Sequence, residues 1–276
     1  MKKTFLLSFI LAAMLMAGSY ALAETESNSS ILFVAPYRVV VEEGKNVGSI
    51  NVSNRSTETR RYDLMLVDQA MDENGVTRRL ESFDYSVKSM VRYVPRRFTL
   101  APGERQIVRL QVTRPEKLED GDYHSHLLFR EVPLSLQDQG GPAPEDQAAA
   151  DGKKAVSFEI KTLYGVAVPI IVQKGTIVSS LAVESASLAR PGTLTVNLKR
   201  EGNAEAAGRM SVTYKGKDGK TEELLPPQWI RVYREADRIK RNFEVKTLPP
   251  AGSTISVKLF AKEEDPAPFN EFSFVF

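Results

Sequence analysis

The sequence predicts an all-β protein of two β-sandwich domains. From Ile31 onward, apolar residues recur with a period of about two rather than 3.6, and the short runs are bounded by Gly, Pro, Asn and Asp. No convincing helical period separates the runs, and strands at such regular spacing pack as sandwiches.

Residues 1–23 stand apart from that pattern. Lys2 and Lys3 precede an apolar run from Phe5 through Met16, and Ala21-Leu22-Ala23 precedes the first acid, Glu24. This order reads as a secretory signal peptide cleaved after Ala23. The run is short and no second stretch of spanning length follows, which disfavours a membrane anchor. The remaining chain, about 250 residues, suffices for two ordinary domains with substantial cores. It contains no cysteine, so packing rather than disulfides must stabilise an exported chain. The formal charge of +2 is carried by Lys2 and Lys3, so the rest is neutral and nucleic acid is not indicated as a partner. Arginines concentrate at Arg60-Arg61, Arg78-Arg79, Arg92, Arg96-Arg97, Arg105 and Arg109, and read as solvated strand edges and turns.

In order along the chain, Val39 with Val41, Ile50 with Val52, and Leu64 with Leu66 mark the first strands. Asp72-Glu73-Asn74-Gly75 is a turn in which Asn-Gly supplies positive φ. Further strands follow at Val91–Val94, Phe98–Leu100, Ile107–Val112 and Tyr123–Val132, with Pro102-Gly103 and Gly121-Asp122 as breaks. Residues 137–154, rich in Gly, Pro, Ala and acids, have no apolar face and read as a long mobile loop inside the first domain. Ala155–Val172 is long for one strand, with Val156, Phe158 and Ile160 on one face opposite Ser157, Glu159 and Lys161. The pattern breaks at Gln173-Lys174-Gly175, which places the first domain at 24–172 and the second at 173–276. Within the second, Thr193–Leu198, Met210–Tyr214, Ile230–Tyr233, Ile255–Phe260 and Phe272–Phe276 read as strands, with turns at Asp218-Gly219 and Pro249-Pro250.

The residue types for catalysis are sparse. His124 and His126 project from one face of a strand without a third ligand at metal-binding spacing, so they read as structural. Ser125 lies between them, but neighbours on a strand face opposite ways, so neither imidazole addresses its hydroxyl. Gly216–Thr221 ends in Gly-Lys-Thr without the spacing of a phosphate loop. Glu42-Glu43 and Glu263-Glu264-Asp265 read as solubilising turns, and no cofactor, metal or enzymatic activity is expected. What the pattern offers is a binding device: a strand with alternating large apolar residues can complete another protein's sheet, its backbone giving ladder bonds and its side chains giving plugs.

Three ordered segments carry a resemblance. Pro36–Gly44, reading PYRVVVEEG, is followed by INVSN from Ile50; Pro95–Leu110 reads PRRFTLAPGERQIVRL; and Tyr123–Pro133 reads YHSHLLFREVP. Together they resemble the periplasmic pilus chaperones of the chaperone-usher pathway, closer to the alternative or archaic branch than to the main one. The resemblance covers most of the first domain, whereas the second shares only its β-pattern.

It implies two immunoglobulin-like sandwiches meeting at an angle, in a periplasmic chaperone that binds pilus subunits by donor-strand complementation and delivers them to an outer-membrane usher. It further implies that Val156, Phe158 and Ile160 are donor residues, within a donor strand at about 155–168. An arginine and a lysine hold the subunit's terminal carboxylate in that family. Arg38 matches the arginine, whose fork can grip a carboxylate bidentately. Counting back from Pro169 reaches Tyr164 or Gly165, neither a lysine, so Lys161 is the nearby candidate. An exposed plug row would be covered by the subunit, by the loop or by self-association of the free protein. The alternative is a secreted adhesive or carbohydrate-binding sandwich, for which the single tryptophan, Trp229, supplies no row of aromatic platforms.

Overall fold

The computed structural model describes residues 31–134 and 163–276, and every regular element among them is a β-strand. The first sandwich contains β1 (Leu32–Ala35), β2 (Val39–Val41), β3 (Val47–Asn54), β4 (Arg60–Met71), β5 (Thr77–Leu80), β6 (Val91–Val94), β7 (Arg97–Leu100), β8 (Arg105–Val112), β9 (Gly121–Val132) and β10 (Gly165–Lys174). One sheet has the order β1-β3-β8-β6. The other runs β2-β10-β9-β4-β5, with β7 paired to the opposite end of β4. Alternation decides what faces inward: on β8, Val108, Leu110 and Val112 are buried while Arg109 and Gln111 are exposed. They meet Ile50, Tyr62, Leu127, Phe129, Val168 and Ile170 in one core.

The second sandwich contains β11 (Ser179–Ala189), β12 (Thr193–Gly202), β13 (Ala206–Lys215), β14 (Thr221–Val232), β15 (Arg238–Glu244), β16 (Thr254–Phe260) and β17 (Asn270–Val275). Its sheets run β11-β12-β15 and β14-β13-β16-β17. Leu194, Val196, Leu198, Met210, Ile255 and Leu259 form a separate core. The described residues thus form an all-β pair of immunoglobulin-like sandwiches, each with its own apolar interior.

Local details depart from the periodic reading. At the β4–β5 turn only Gly75 has positive φ, at +70°, and the Asp72 carboxylate accepts the Asn74 and Val76 N–H groups at 2.9 and 3.0 Å. This is an aspartate-capped loop rather than a two-residue Asn-Gly turn. The strands β11 and β15 were not read from sequence: β11 has a register shift between Val183 and Ser185, and β15, RIKRNFE, carries charges between its apolar positions. The run read as ending at Val172 continues to Lys174.

Strand β9 is central to its sheet and is buried along almost all its length. Tyr123, Leu127 and Phe129 join the core, and Ser125 donates to the Asp68 carboxylate at 2.6 Å. Asp122, His124 and His126 face the other way, where residues of the second sandwich cover them.

Candidate functional site at the junction of the two sandwiches

The edge of β10 is built unequally. Along Gly165–Lys174 one side pairs antiparallel with β9. The other side pairs with β2 in parallel, but only from Ile170 opposite Val39 to Val172 opposite Val41. Among the described residues no strand pairs with that side of Gly165–Val168. Two side chains set this geometry. Glu131, 5% exposed, takes the Arg60 guanidinium at 2.5 Å and the Tyr164 N–H at 3.1 Å, fixing the chain just before β10. Arg114 donates to the carbonyls of Val41, Glu42, Lys45 and Gln173, clamping the β2–β3 turn against the end of β10.

Arg38 immediately precedes β2, so parallel register places it beside Pro169, at the inner end of the unpaired stretch. A strand added alongside Gly165–Val168 and parallel to β10 would run in the direction of β2. It would therefore present its C-terminal end, not its N-terminal end, to Arg38. A cation there favours a chain ending in a carboxylate. Tyr37, Leu163 and Tyr164 beside this stretch leave large apolar side chains exposed.

Arg38 already faces a carboxylate. Its Nη1 lies 2.7 Å from Glu205 Oε2, on the turn between β12 and β13, yet neither atom makes a hydrogen bond. The contact is close but misaligned, so it is Coulombic rather than a directed charge-assisted bond. The other oxygen, Oε1, accepts from Arg231 Nη1 at 3.0 Å. The Glu205 side chain is 6% exposed, that of Arg38 20% and that of Arg231 43%. Asp122 is adjacent and accepts the Glu205 N–H at 2.7 Å. Burial, with Glu205 as a neighbouring like charge, holds the Asp122 carboxyl above the usual range despite that hydrogen bond.

The histidines line the same junction. His124 stacks on Tyr233 at 4.3 Å and lies 3.1 Å from the Gln69 carbonyl through Nε2. Burial lowers both His124 and His126 to about 4, with His126 further depressing His124 and Arg38 further depressing His126. They are neutral at pH 7, so the 3.8 Å approach of Glu235 to His124 is not an ion pair. Burial likewise pushes Tyr233 up to about 12 and raises Glu235, whose Oε1 accepts the Met71 N–H at 2.7 Å. On the far face, burial alone would raise Asp68, but bonds from Lys88, Ser125 and Ser86 outweigh it and hold the carboxyl below its ordinary range.

Sequence reasoning missed the residue that holds the second sandwich's turns at the junction. Arg200, 4% exposed, donates to the carbonyls of Gly202, Ala204, Arg234 and Ala236. It thereby fixes the two turns that carry Glu205 and Glu235. A lone arginine within the apolar alternation of β12 was the only available signal. Of the expected site residues, the structure places Arg38 at the junction. Val156, Phe158, Ile160 and Lys161, the expected loop at 137–154 and the leader at 1–23 lie outside the described residues. The expectation of solvated arginines fits Arg92, Arg105 and Arg109, which are exposed, but not Arg60, which is bound to buried Glu131.

No family model and no curated protein matches the chain. Among solved structures it is similar to a chain of a chaperone–tip adhesin complex of CFA/I fimbriae biogenesis, with 12% identity over 88% of this chain and 97% of that one, at a TM-score of 0.46. It is similar to a chain of the CsuC–CsuE chaperone–tip adhesion subunit pre-assembly complex from the archaic chaperone-usher Csu pili of Acinetobacter baumannii, with 12% identity over 88% and 96%, at 0.44. The YadV chaperone is similar with 9% identity over 89% and 100%, at 0.46.

Proposed function

We propose that this protein is a periplasmic chaperone that lends a strand to pilus subunits and delivers them to an outer-membrane usher. The observation that carries the reading is the edge of β10 that no other described strand covers along Gly165–Val168 and that ends at Arg38. An unpaired edge is a template for another chain. The parallel register gives that edge a direction, and the arginine gives it an end. The resembling segments of the first domain supply the identity of the guest.

In this reading, the domains are 24–172 and 173–276, and residues 1–23 export the chain. Val156, Phe158 and Ile160 continue in sequence the alternation of Val166 and Val168, and supply the donor side chains. Arg38 receives the guest's terminal carboxylate, with Lys161 as the second cation inferred from sequence. An edge that no described strand covers also permits self-association before a subunit binds. The action is binding and release, with no catalytic step.

Co-expression with exported pilus subunits encoded by neighbouring open reading frames tests the reading. Arg38→Ala and Phe158→Asp should each lower the yield of soluble subunit that co-purifies. Retention at wild-type yield by both variants would sink the strand-lending mechanism.

A further inference from the structure

We infer that Glu205 is a resident carboxylate occupying the guest's anchoring site, and that Arg231 of the second sandwich is a further cation of that site. This rests on the strand-lending reading for the guest's identity, but the site itself is read from geometry. Glu205 bridges Arg38 at 2.7 Å and Arg231 at 3.0 Å, so two guanidinium groups from different sandwiches converge on one carboxylate.

The resident group is held less well than a guest could be. Arg38 Nη1 and Glu205 Oε2 touch without an aligned hydrogen bond, and both are buried. Glu205 also sits beside buried Asp122, whose carboxyl is held above its ordinary range by burial, with the Glu205 charge as a further cause. A chain-terminal carboxylate approaching along the β10 edge is not tethered to the β12–β13 turn. It can therefore align with the Arg38 fork and form the paired bonds that Glu205 does not. Arg231 is the more exposed of the two arginines, and its guanidinium lies over the half-exposed Trp229 ring, 5.6 Å from the centroid. It is thus placed to follow either carboxylate.

Binding is then an exchange: the guest carboxylate replaces Glu205 on the arginines, and the Glu205 side chain swings toward solvent while Arg200 holds its turn in place. No covalent bond changes. In the free protein, Glu205 places one negative charge between two guanidinium groups that would otherwise repel each other across the junction. It also raises the threshold for ligands that bring a carboxylate but no strand. The free edge selects the strand, and the exchange selects its end.

Acetate titration of the full-length protein, followed through the arginine side-chain Nε signals by NMR, tests the site without a pilus subunit. Wild type should show little response at Arg38 and Arg231. Glu205→Gln should show saturable shifts at both, with Glu205→Gln/Arg231→Gln losing most of the affinity. No saturable shift in Glu205→Gln, with circular dichroism unchanged, would overturn the exchange site. A second arm uses an apolar strand peptide with a free C-terminus and its C-terminal amide. Glu205→Gln should bind the free acid about tenfold more tightly than wild type, while the amide stays unchanged. Equal gains for acid and amide would overturn the proposal. A saturable acetate response without peptide binding by any variant would keep the carboxylate site and defeat the strand-lending reading instead.

Discussion

Replacing Arg200 with alanine removes the side chain that holds the two turns at the junction, and the expected loss follows from its partners. Asp237 is 80% exposed in its side chain, so that ion pair contributes no more than ~1 kcal/mol. The carbonyls of Gly202, Ala204, Arg234 and Ala236 dominate, because a hydrogen bond to a charged donor contributes ~1.5–3 kcal/mol. These contributions do not add, since turn carbonyls regain some water once the side chain is gone. A net destabilisation of about 2–4 kcal/mol is expected, roughly one to two such bonds after that rehydration. Trp229 is the only tryptophan and lies on β14, so its fluorescence during urea unfolding reports the second sandwich. Arg200→Ala should lower the midpoint of that transition, and Arg200→Lys should fall between, because an ammonium lacks the planar fork. A loss below ~1 kcal/mol for alanine would refute the claim that one guanidinium organises both turns.

Three other perturbations follow from the same packing. His124 and His126 titrate near 4 when folded, against the ordinary value of 6.5, so the unfolded chain takes up their protons first as pH falls. Their neutral burial therefore supports the fold fully above about pH 6.5 and loses support progressively toward pH 4, by a few kcal/mol in all. Asp122 and Glu235, held above the usual range by burial, act in the opposite sense, so thermal melts must compare wild type with His124→Gln/His126→Gln. An undiminished loss of stability between pH 6.5 and 4 in the double variant would assign the effect elsewhere. Arg114→Ala should free β2 from β10 and speed amide hydrogen exchange at Val39–Val41, whereas exchange in β9 stays slow; equal protection in both proteins would refute the clamp. Gly202→Val should cost at least about 2 kcal/mol, because φ is +102° and a Cβ would lie 2.0 Å from the Val178 carbonyl. Urea unfolding followed at Trp229 measures that cost, and a midpoint within error of wild type would show that the turn relaxes.

Much of the first sandwich was legible because half-buried strands announce themselves by a period of two. The buried Val108, Leu110 and Val112 against exposed Arg109 and Gln111 are such a case. The strands that escaped notice lack a clean period for identifiable reasons. A bulge after Val183 shifts the phase of β11, and the alternate positions of β15 are polar or charged around Ile239. The family-like segment around Arg38 was visible as a motif, but its partner was not. Glu205 sits in a polar turn of the other sandwich, and nothing in local sequence distinguishes it from a solvated glutamate.

By itself the sequence determined the all-β class and the turns at Gly75 and Gly219, because these depend on neighbouring residues and local periodicity, whereas Arg38 stood out only through a resemblance of motif. Tertiary structure alone decided that β2 covers only one end of β10, that Arg114 clamps it there, and that Arg38 meets Glu205 and Arg231. Strand neighbours, buried charge pairs and the direction of an open edge arise from segments far apart in the chain. No local pattern records them until both cores have closed and brought the two sandwiches' turns together.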